Sequence, residues 1–144
     1  MKPSNCSSFM GRFQNYLKHS SSDLQFYDFE NAVLTVNGVE KARGGCDCAI
    51  LSNEGENCNL ILVECKAGRL GIRDFEQGKA QLECGIRFIF NAFSEPPDLA
   101  VLCYEKLDPM VTKILQLPKN QTLVHNVRLI CERLKESDHC KCCP

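Results

Sequence analysis

Two acidic residues and a lysine stand at the ends of apolar, strand-like segments in the middle of the chain. Glu64 and Lys66 are two residues apart in the segment LILVECKAG, and Asp47 opens the preceding strand-like segment, CDCAILS. Side chains alternate between the two faces of a strand, so Glu64 and Lys66 share one face. The opposite face of the same segment is formed by apolar residues and Cys65. This pattern predicts a buried strand that presents a carboxylate and an ammonium group at its carboxyl end.

The segment NEGENCN separates these two strand-like segments and is typical of a turn. If the strands pair through it, Asp47 comes to lie beside Glu64 and Lys66. Two adjacent carboxylates repel each other unless a cation neutralises them, and Mg²⁺ prefers oxygen ligands of this kind. A neighbouring lysine can orient or deprotonate the attacking water. The three residues therefore predict metal-assisted hydrolysis of a phosphodiester, with Mg²⁺ or Mn²⁺ as cofactor.

The surrounding pattern predicts an α/β protein with a core order of α-β-β-β-α-β. A helix is expected within residues 1–20 and strand material in LQFYDF and NAVLTVNG, with a tight turn at Asn37-Gly38. The period changes to that of an amphipathic helix over residues 72–93, and DLAVLCYE is typical of a buried strand. Residues 109–135 are expected to form a helix, a short strand at TLVH and a closing helix.

The array GGCDCAIL, then LILVECKAG, then a helix bearing Gln77 and Gln81 resembles the PD-(D/E)XK nuclease superfamily, in its RecB-like or archaeal-resolvase-like branch. The resemblance covers about residues 30–105 and implies a restriction-endonuclease-like fold with a central mixed sheet. It implies that Asp47 and Glu64 are metal ligands, together with the backbone carbonyl of Cys65, and that Lys66 is the catalytic lysine.

The helix predicted after the Glu-x-Lys strand carries polar side chains that could line this site. Gln77 and Gln81 are four residues apart and share a face with Arg73, so one helical stripe can approach both metal and phosphate. We expect Arg69, Arg73 and Lys79 to bind nucleic acid, although a solvated helix face would look much the same.

The sequence departs from the family pattern at two places. Cys46 replaces the family's nominal proline, and the first predicted helix has no acidic residue. Glu30 or Glu40 could complete the site, but both fit solvent-facing positions better.

Eleven cysteines are many for 144 residues. Because several lie in apolar segments, we expect most to be reduced and buried. The tail at 137–144 contains Cys140, Cys142 and Cys143, which fit either a zinc or iron–sulphur site or a frayed, flexible terminus, and the spacing favours the terminus. His125 is expected to be a core histidine.

Length predicts one domain over residues 1–144, and the absence of a long apolar run or a secretory h-region predicts a cytoplasmic protein. We expect a DNA nuclease, with RNA the less favoured substrate, that acts as a homodimer or beside a partner protein that supplies specificity. The alternatives are a catalytically inactive nucleic-acid or protein interaction module and, with less support, a cysteine-based metal or redox protein.

Overall fold

A computed structural model describes residues 3–21, 23–54 and 57–144 of the chain. The helices are α1 (Pro3–Phe13), α2 (Ile72–Phe93) and α3 (Pro109–Ile114). The strands are β1 (Leu17–Ser20), β2 (Leu24–Tyr27), β3 (Leu34–Val36), β4 (Val39–Lys41), β5 (Cys48–Glu54), β6 (Asn57–Leu70), β7 (Leu99–Leu107) and β8 (Leu129–Arg133). Short 3₁₀ helices lie at Gln14–Tyr16, Pro118–Asn120, Val124–Asn126 and Asp138–Cys142.

Six strands form one mixed sheet in the order β1-β2-β5-β6-β7-β8, which confirms the predicted α/β class. The pairs from β1 to β6 are antiparallel, whereas β6, β7 and β8 are parallel to one another. Helix α2 makes the crossover from β6 to β7 that a parallel pair requires. The remaining two strands form a hairpin, β3–β4, whose turn at Asn37 and Gly38 has the positive φ angles that the sequence predicts.

Helix α2 has the bounds that its periodicity predicts. Its buried face carries Phe75, Leu82, Ile86 and Ile89, which recur at helical spacing. The helix ends at a left-handed C-cap, Ser94, whose amide donates to the carbonyl of Phe90.

The sheet buries its two faces in different ways. One face packs against α1 and α2 through the larger core, in which the ring of Phe13 stacks on those of Phe9 and Phe29. The other face contributes Ile50 and Val63, among others, to a smaller core. This smaller core is completed by the C-terminal residues, because Cys140 and Cys142 are buried against it.

Three expectations about the ends of the chain are wrong. Residues 129–133 form β8 instead of a closing helix, because a parallel partner, β7, supplies hydrogen bonds to the backbone. The N-terminal helix ends at Phe13, and β1 follows as an exposed edge strand. TLVH forms a single bridge and a 3₁₀ turn instead of a strand. The expectation that His125 is a core histidine is wrong too, because the ring is exposed and stacks on Phe90 at the surface of α2.

Among the described residues, no helix combines the length and the apolar character that crossing a bilayer requires. The cytoplasmic location stays a prediction.

Candidate active site

Two glycines bring the chain into β5 and place Asp47 at its start. Gly44 and Gly45 have φ angles of +125° and +81°, which side-chain-bearing residues rarely adopt. A Cβ on Gly45 would also lie 3.2 Å from the ring of Phe29. The turn therefore depends on glycine at both its strained positions.

The register of β5 and β6 places the two acids side by side. Cys48 pairs with Val63, so the residues just beyond this pair, Asp47 and Glu64, are neighbours. The amide of Asp47 donates to Oε1 of Glu64 at 3.1 Å. In return, Oδ2 of Asp47 accepts a hydrogen bond from the amide of Cys65 at 2.7 Å. The structure thus brings together the two carboxylates that the sequence pairs.

Lys66 joins the acids on the face of β6 that α2 covers. Its Nζ lies 3.6 Å from Oε2 of Glu64. A Cβ on Gly78 of α2 would lie 3.5 Å from Cε of Lys66, so the helix passes directly over the lysine stem. Cys65, between the two charged residues, faces the smaller core on the opposite side of the sheet. The predicted alternation along β6 is confirmed.

The electrostatics of this cluster make Glu64 an unusual acid. Its side chain is only 7% exposed, and burial raises its pKa to about 8. The adjacent carboxylate of Asp47 adds to this increase, and the ammonium of Lys66 partly opposes it. Near neutral pH the cluster therefore holds a proton on Glu64, and a cation bound at the two carboxylates would favour its release.

The donor atoms around the acids suit a hard divalent cation. Asp47 and Glu64 offer carboxylate oxygens, which Mg²⁺ and Mn²⁺ prefer. Within a strand, the N–H and C=O groups of one residue point to the same edge. Because the amide of Cys65 points at Asp47, its carbonyl points to the same edge of β6, beyond the end of the β5 ladder. The expected donors, Asp47, Glu64 and the Cys65 carbonyl, are thus close to one another where β5 begins.

Sequence reasoning missed one residue that shapes this site. The buried side chain of Lys41 donates from Nζ to the carbonyls of Ala32, Ala42 and Gly44 at 3.0, 3.1 and 3.3 Å. Its ammonium also lies 4.4 Å from the ring centroid of Phe29. Lys41 therefore ties the segment before Asp47 to the hairpin. The signal in the sequence is the alternation of β4, which turns Val39 and Lys41 inwards and Glu40 outwards.

The predicted helix residues are divided between two sides of α2. Gln81 lies one turn from both Gly78 and Gly85, the two glycines on which α2 rests against the sheet, and Gln77 lies one turn before Gln81. Lys79 does not share their side, and its Nζ donates to Oδ1 of Asn120 at 3.0 Å. Its ammonium is thus engaged within the protein.

The remaining charged candidates lie near the surface. Arg69 and Arg73 are exposed, at the end of β6 and the start of α2. Of the two extra acids, Glu40 is exposed on the hairpin, whereas the amide of Glu30 donates to the carbonyl of Asp47 at 3.4 Å. Of the two acids, Glu30 is therefore the one whose backbone contacts that of Asp47, although its side chain is exposed.

The expectation that most cysteines are reduced is wrong. Eight of the eleven form disulfides, namely Cys6–Cys58, Cys48–Cys142, Cys65–Cys143 and Cys103–Cys140. Cys46, Cys84 and Cys131 are free. The tail also differs from the predicted frayed terminus, because three of these bridges tie it to the sheet. Alternation places Cys48, Cys65 and Cys103 on one face of adjacent strands, where the tail meets them.

No family model, curated protein or solved structure matches the chain. The molecule is therefore characterised by its own fold and site: a mixed α/β protein in which two acids and a lysine converge under a helix. Membership of the PD-(D/E)XK superfamily stays a prediction.

Proposed function

We propose that this protein is a metal-dependent nuclease that hydrolyses phosphodiester bonds, with DNA as its substrate. The observation that carries the proposal is the convergence of Asp47, Glu64 and Lys66 on one face of the sheet. Mg²⁺ or Mn²⁺ would be held by the two carboxylates and the carbonyl of Cys65. When bound, the ion supplies Lewis-acid activation of the phosphate and of a coordinated water.

The side chains of the site have separate roles in the proposed reaction. Asp47 and Glu64 fix each other through the backbone, which gives the ligands a defined geometry before any ion binds. Lys66 has its ammonium beside Glu64 and a side chain about one-fifth exposed, so it can contact both a water molecule and a scissile phosphate. In this role it orients the water and offsets negative charge in the transition state.

The arrangement of elements supports a restriction-endonuclease-like fold. An antiparallel meander ends in the Glu-x-Lys strand, the Asp immediately precedes the strand that pairs with it, and a crossover helix leads to a parallel strand. The order of the sequence motifs and the order of the strands both support the proposed superfamily.

The surroundings of the site favour an extended polyanion as substrate. Arg69 and Arg73 are exposed where β6 passes into α2. They follow Lys66 in the sequence within a few residues. Arginine forks bind phosphate oxygens well, and such contacts position a backbone without reading sequence. Because phosphate contacts do not read sequence, specificity would come from substrate structure, from a homodimer or from a partner protein.

The test is cleavage of supercoiled plasmid and of branched DNA by the full chain with Mg²⁺, Mn²⁺ or a chelator. We expect metal-dependent cleavage that falls by about 10²-fold or more in Lys66→Ala. Lys119→Ala, which removes an exposed lysine elsewhere, is the matched control and should retain activity. Circular dichroism would establish that both variants fold. Undiminished cleavage by folded Lys66→Ala would contradict the mechanism, and metal-independent DNA binding without cleavage would instead favour an interaction module.

A further inference from the structure

Six cysteines gather on the face of the sheet that is opposite to α2. Cys48, Cys65 and Cys103 lie on the adjacent strands β5, β6 and β7, and Cys65 and Cys103 are direct register partners. The C-terminal 3₁₀ turn brings Cys140, Cys142 and Cys143 against them. This sulphur cluster takes no part in the hydrolysis proposed above, since Glu64 and Lys66 face the other side of β6.

Four of these sulphur atoms form one contiguous group. The Sγ atoms of Cys65, Cys142 and Cys143 all lie within 4.8 Å of one another. The fourth, that of Cys48, is bonded to Cys142, while Cys143 is bonded to Cys65. A tetrahedral zinc–thiolate site, with Zn–S bonds of about 2.3 Å, separates its sulphur atoms by about 3.8 Å. Once the two bridges open, Cys65, Cys142 and Cys143 already place three sulphur atoms within reach of one ion. The side chain of Cys48, released from Cys142, must turn towards them to complete the set.

We propose that the reduced form of the protein binds one Zn²⁺ ion through Cys48, Cys65, Cys142 and Cys143. Two ligands come from neighbouring strands of the rigid sheet and two from the tail. Two adjacent cysteines chelate one ion poorly by themselves. Because the sheet supplies the other two ligands, Cys142 and Cys143 can take part in a complete site. Four thiolates in a closed, structural arrangement are a preferred ligand set of zinc.

The disulfide form is converted into the zinc-bound form by reduction of the two bridges, followed by metal binding. Each of the two disulfides accepts two electrons and two protons from a dithiol reductant, which leaves as its own disulfide. The four resulting thiols lose their protons to solvent as the ion binds. The ion then takes over from the two bridges the role of fastening the tail to the sheet.

The surroundings of the four sulphurs fit a structural ion more than an open, catalytic one. Cys48 and Cys142 are 1% and 4% exposed, and the neighbouring residues of the smaller core are apolar, among them Val63 and Ile50. A hard ion such as Mg²⁺ would find no oxygen ligand in this set of side chains. The two proposed metal sites therefore select different ions, although Glu64 and Cys65 are consecutive residues.

The first experiment measures zinc in the full chain after reduction by a phosphine, which competes weakly for the ion. The protein is incubated with Zn²⁺ without oxygen, freed of unbound metal by gel filtration and assayed for zinc by mass spectrometry. Co²⁺ in place of Zn²⁺ provides a second measurement, since sulphur-to-cobalt charge-transfer bands report thiolate ligands. We expect one tightly held ion per chain and a tetrathiolate cobalt spectrum.

Variants then locate the ion. Cys142→Ser and Cys143→Ser should each lose most of the zinc, whereas Cys84→Ser, which removes an exposed free thiol, should retain it. Glu64→Gln should also retain it, which separates this site from the proposed nuclease site. Reduced wild-type protein without zinc or without thiolate-to-cobalt bands would overturn the proposal, even if the tail variants failed to fold. Loss of zinc in Glu64→Gln with full retention in Cys142→Ser would overturn it as well.

Discussion

Asp47 and Glu64 hold each other through main-chain hydrogen bonds: the amide of Asp47 binds the Glu64 carboxylate, and the Asp47 carboxylate binds the next amide, that of Cys65. Each acid is thus fixed by the strand that carries the other. The arrangement forces two carboxylates together in a buried place, where only a proton, a lysine or a metal ion can relieve their repulsion. The pH dependence of the site should follow from this relationship.

Metal binding should tighten as the pH rises towards about 8, the pKa of Glu64 in the metal-free protein. Below that value the ion must displace a proton from Glu64, so its apparent Kd should increase by about tenfold for each pH unit of acidification. Above it the Kd should level off. Calorimetric titration with Mn²⁺ across this pH range measures the effect, and Glu64→Gln should remove both the slope and most of the affinity. A Kd independent of pH would contradict the proposed ligand.

The same raised pKa predicts the stability of the metal-free chain. Because the folded pKa of Glu64 lies above its unfolded value of 4.5, the folded state binds the proton more tightly than the unfolded state does. The contribution of Glu64 to stability should therefore be most favourable below pH 4.5 and should be lost as the pH rises through about 8. Glu64→Gln, which keeps a neutral side chain, should be more stable than wild type at alkaline pH. Denaturant unfolding at two pH values, with chelator present, tests this sign.

The close approach of α2 to the sheet should make its two buried glycines sensitive to a methyl group. A Cβ on Gly78 would lie 2.9 Å from Cδ1 of the buried Leu102, and one on Gly85 would lie 3.0 Å from Cδ1 of Leu62. Overpacking of this kind costs about 1–3 kcal/mol, which exceeds the roughly 1 kcal/mol that alanine gains over glycine in a helix. Both alanine variants should lower the free energy of unfolding.

The matched control for these glycines is Gly11→Ala in α1, where nothing lies within 4 Å of the added atom. That variant should be more stable than wild type by about 0.5–1 kcal/mol. Gly78→Ala should also reduce cleavage beyond its effect on stability, because relief of the clash with Leu102 would shift α2 relative to Lys66, whose stem the helix covers. Equal behaviour of the α1 and α2 variants would show that the helix is not packed as described.

Substitution of Lys41 should affect both the stability of the fold and metal binding, although Lys41 is not a proposed ligand. Lys41→Met keeps much of the apolar stem but removes the donor shared by the carbonyls of Ala32, Ala42 and Gly44. Loss of a buried, charged donor costs about 1.5–3 kcal/mol. We expect that loss in urea unfolding, together with weaker Mn²⁺ binding as the segment before Asp47 loosens. Lys18→Met, on the exposed strand β1, should change stability by no more than about 0.5 kcal/mol.

The parts of the molecule that follow a single periodic pattern were predictable from sequence. Helix α2, strand β7 and the alternation along β6 each depend on one uninterrupted hydrophobic period. The pairing of Asp47 with Glu64 is also predictable, because their strands follow each other closely in the sequence. Contacts between distant segments carried no such signal: the tail cysteines meet Cys48, Cys65 and Cys103 only because the sheet places these in neighbouring strands. The helix expected in place of β8 is wrong for the same reason, because the sequence of β8 does not show that β7 is its partner strand.

The bridge between Cys6 and Cys58 should stabilise the protein independently of the sulphur cluster at the tail. It closes a segment of 52 residues and links α1 to β6, so the loop-entropy relation gives a contribution of about 4 kcal/mol. The double variant Cys6→Ser/Cys58→Ser should lose much of that free energy under oxidising conditions and little under reducing ones, where the bridge is open in both proteins. Because Phe9 and Phe13 still anchor α1 in the core, the variant should fold, and its zinc content after reduction should equal that of wild type. Guanidinium unfolding with and without reductant measures the difference, and an equal loss in both conditions would show that the cysteines stabilise by packing and not by their bond.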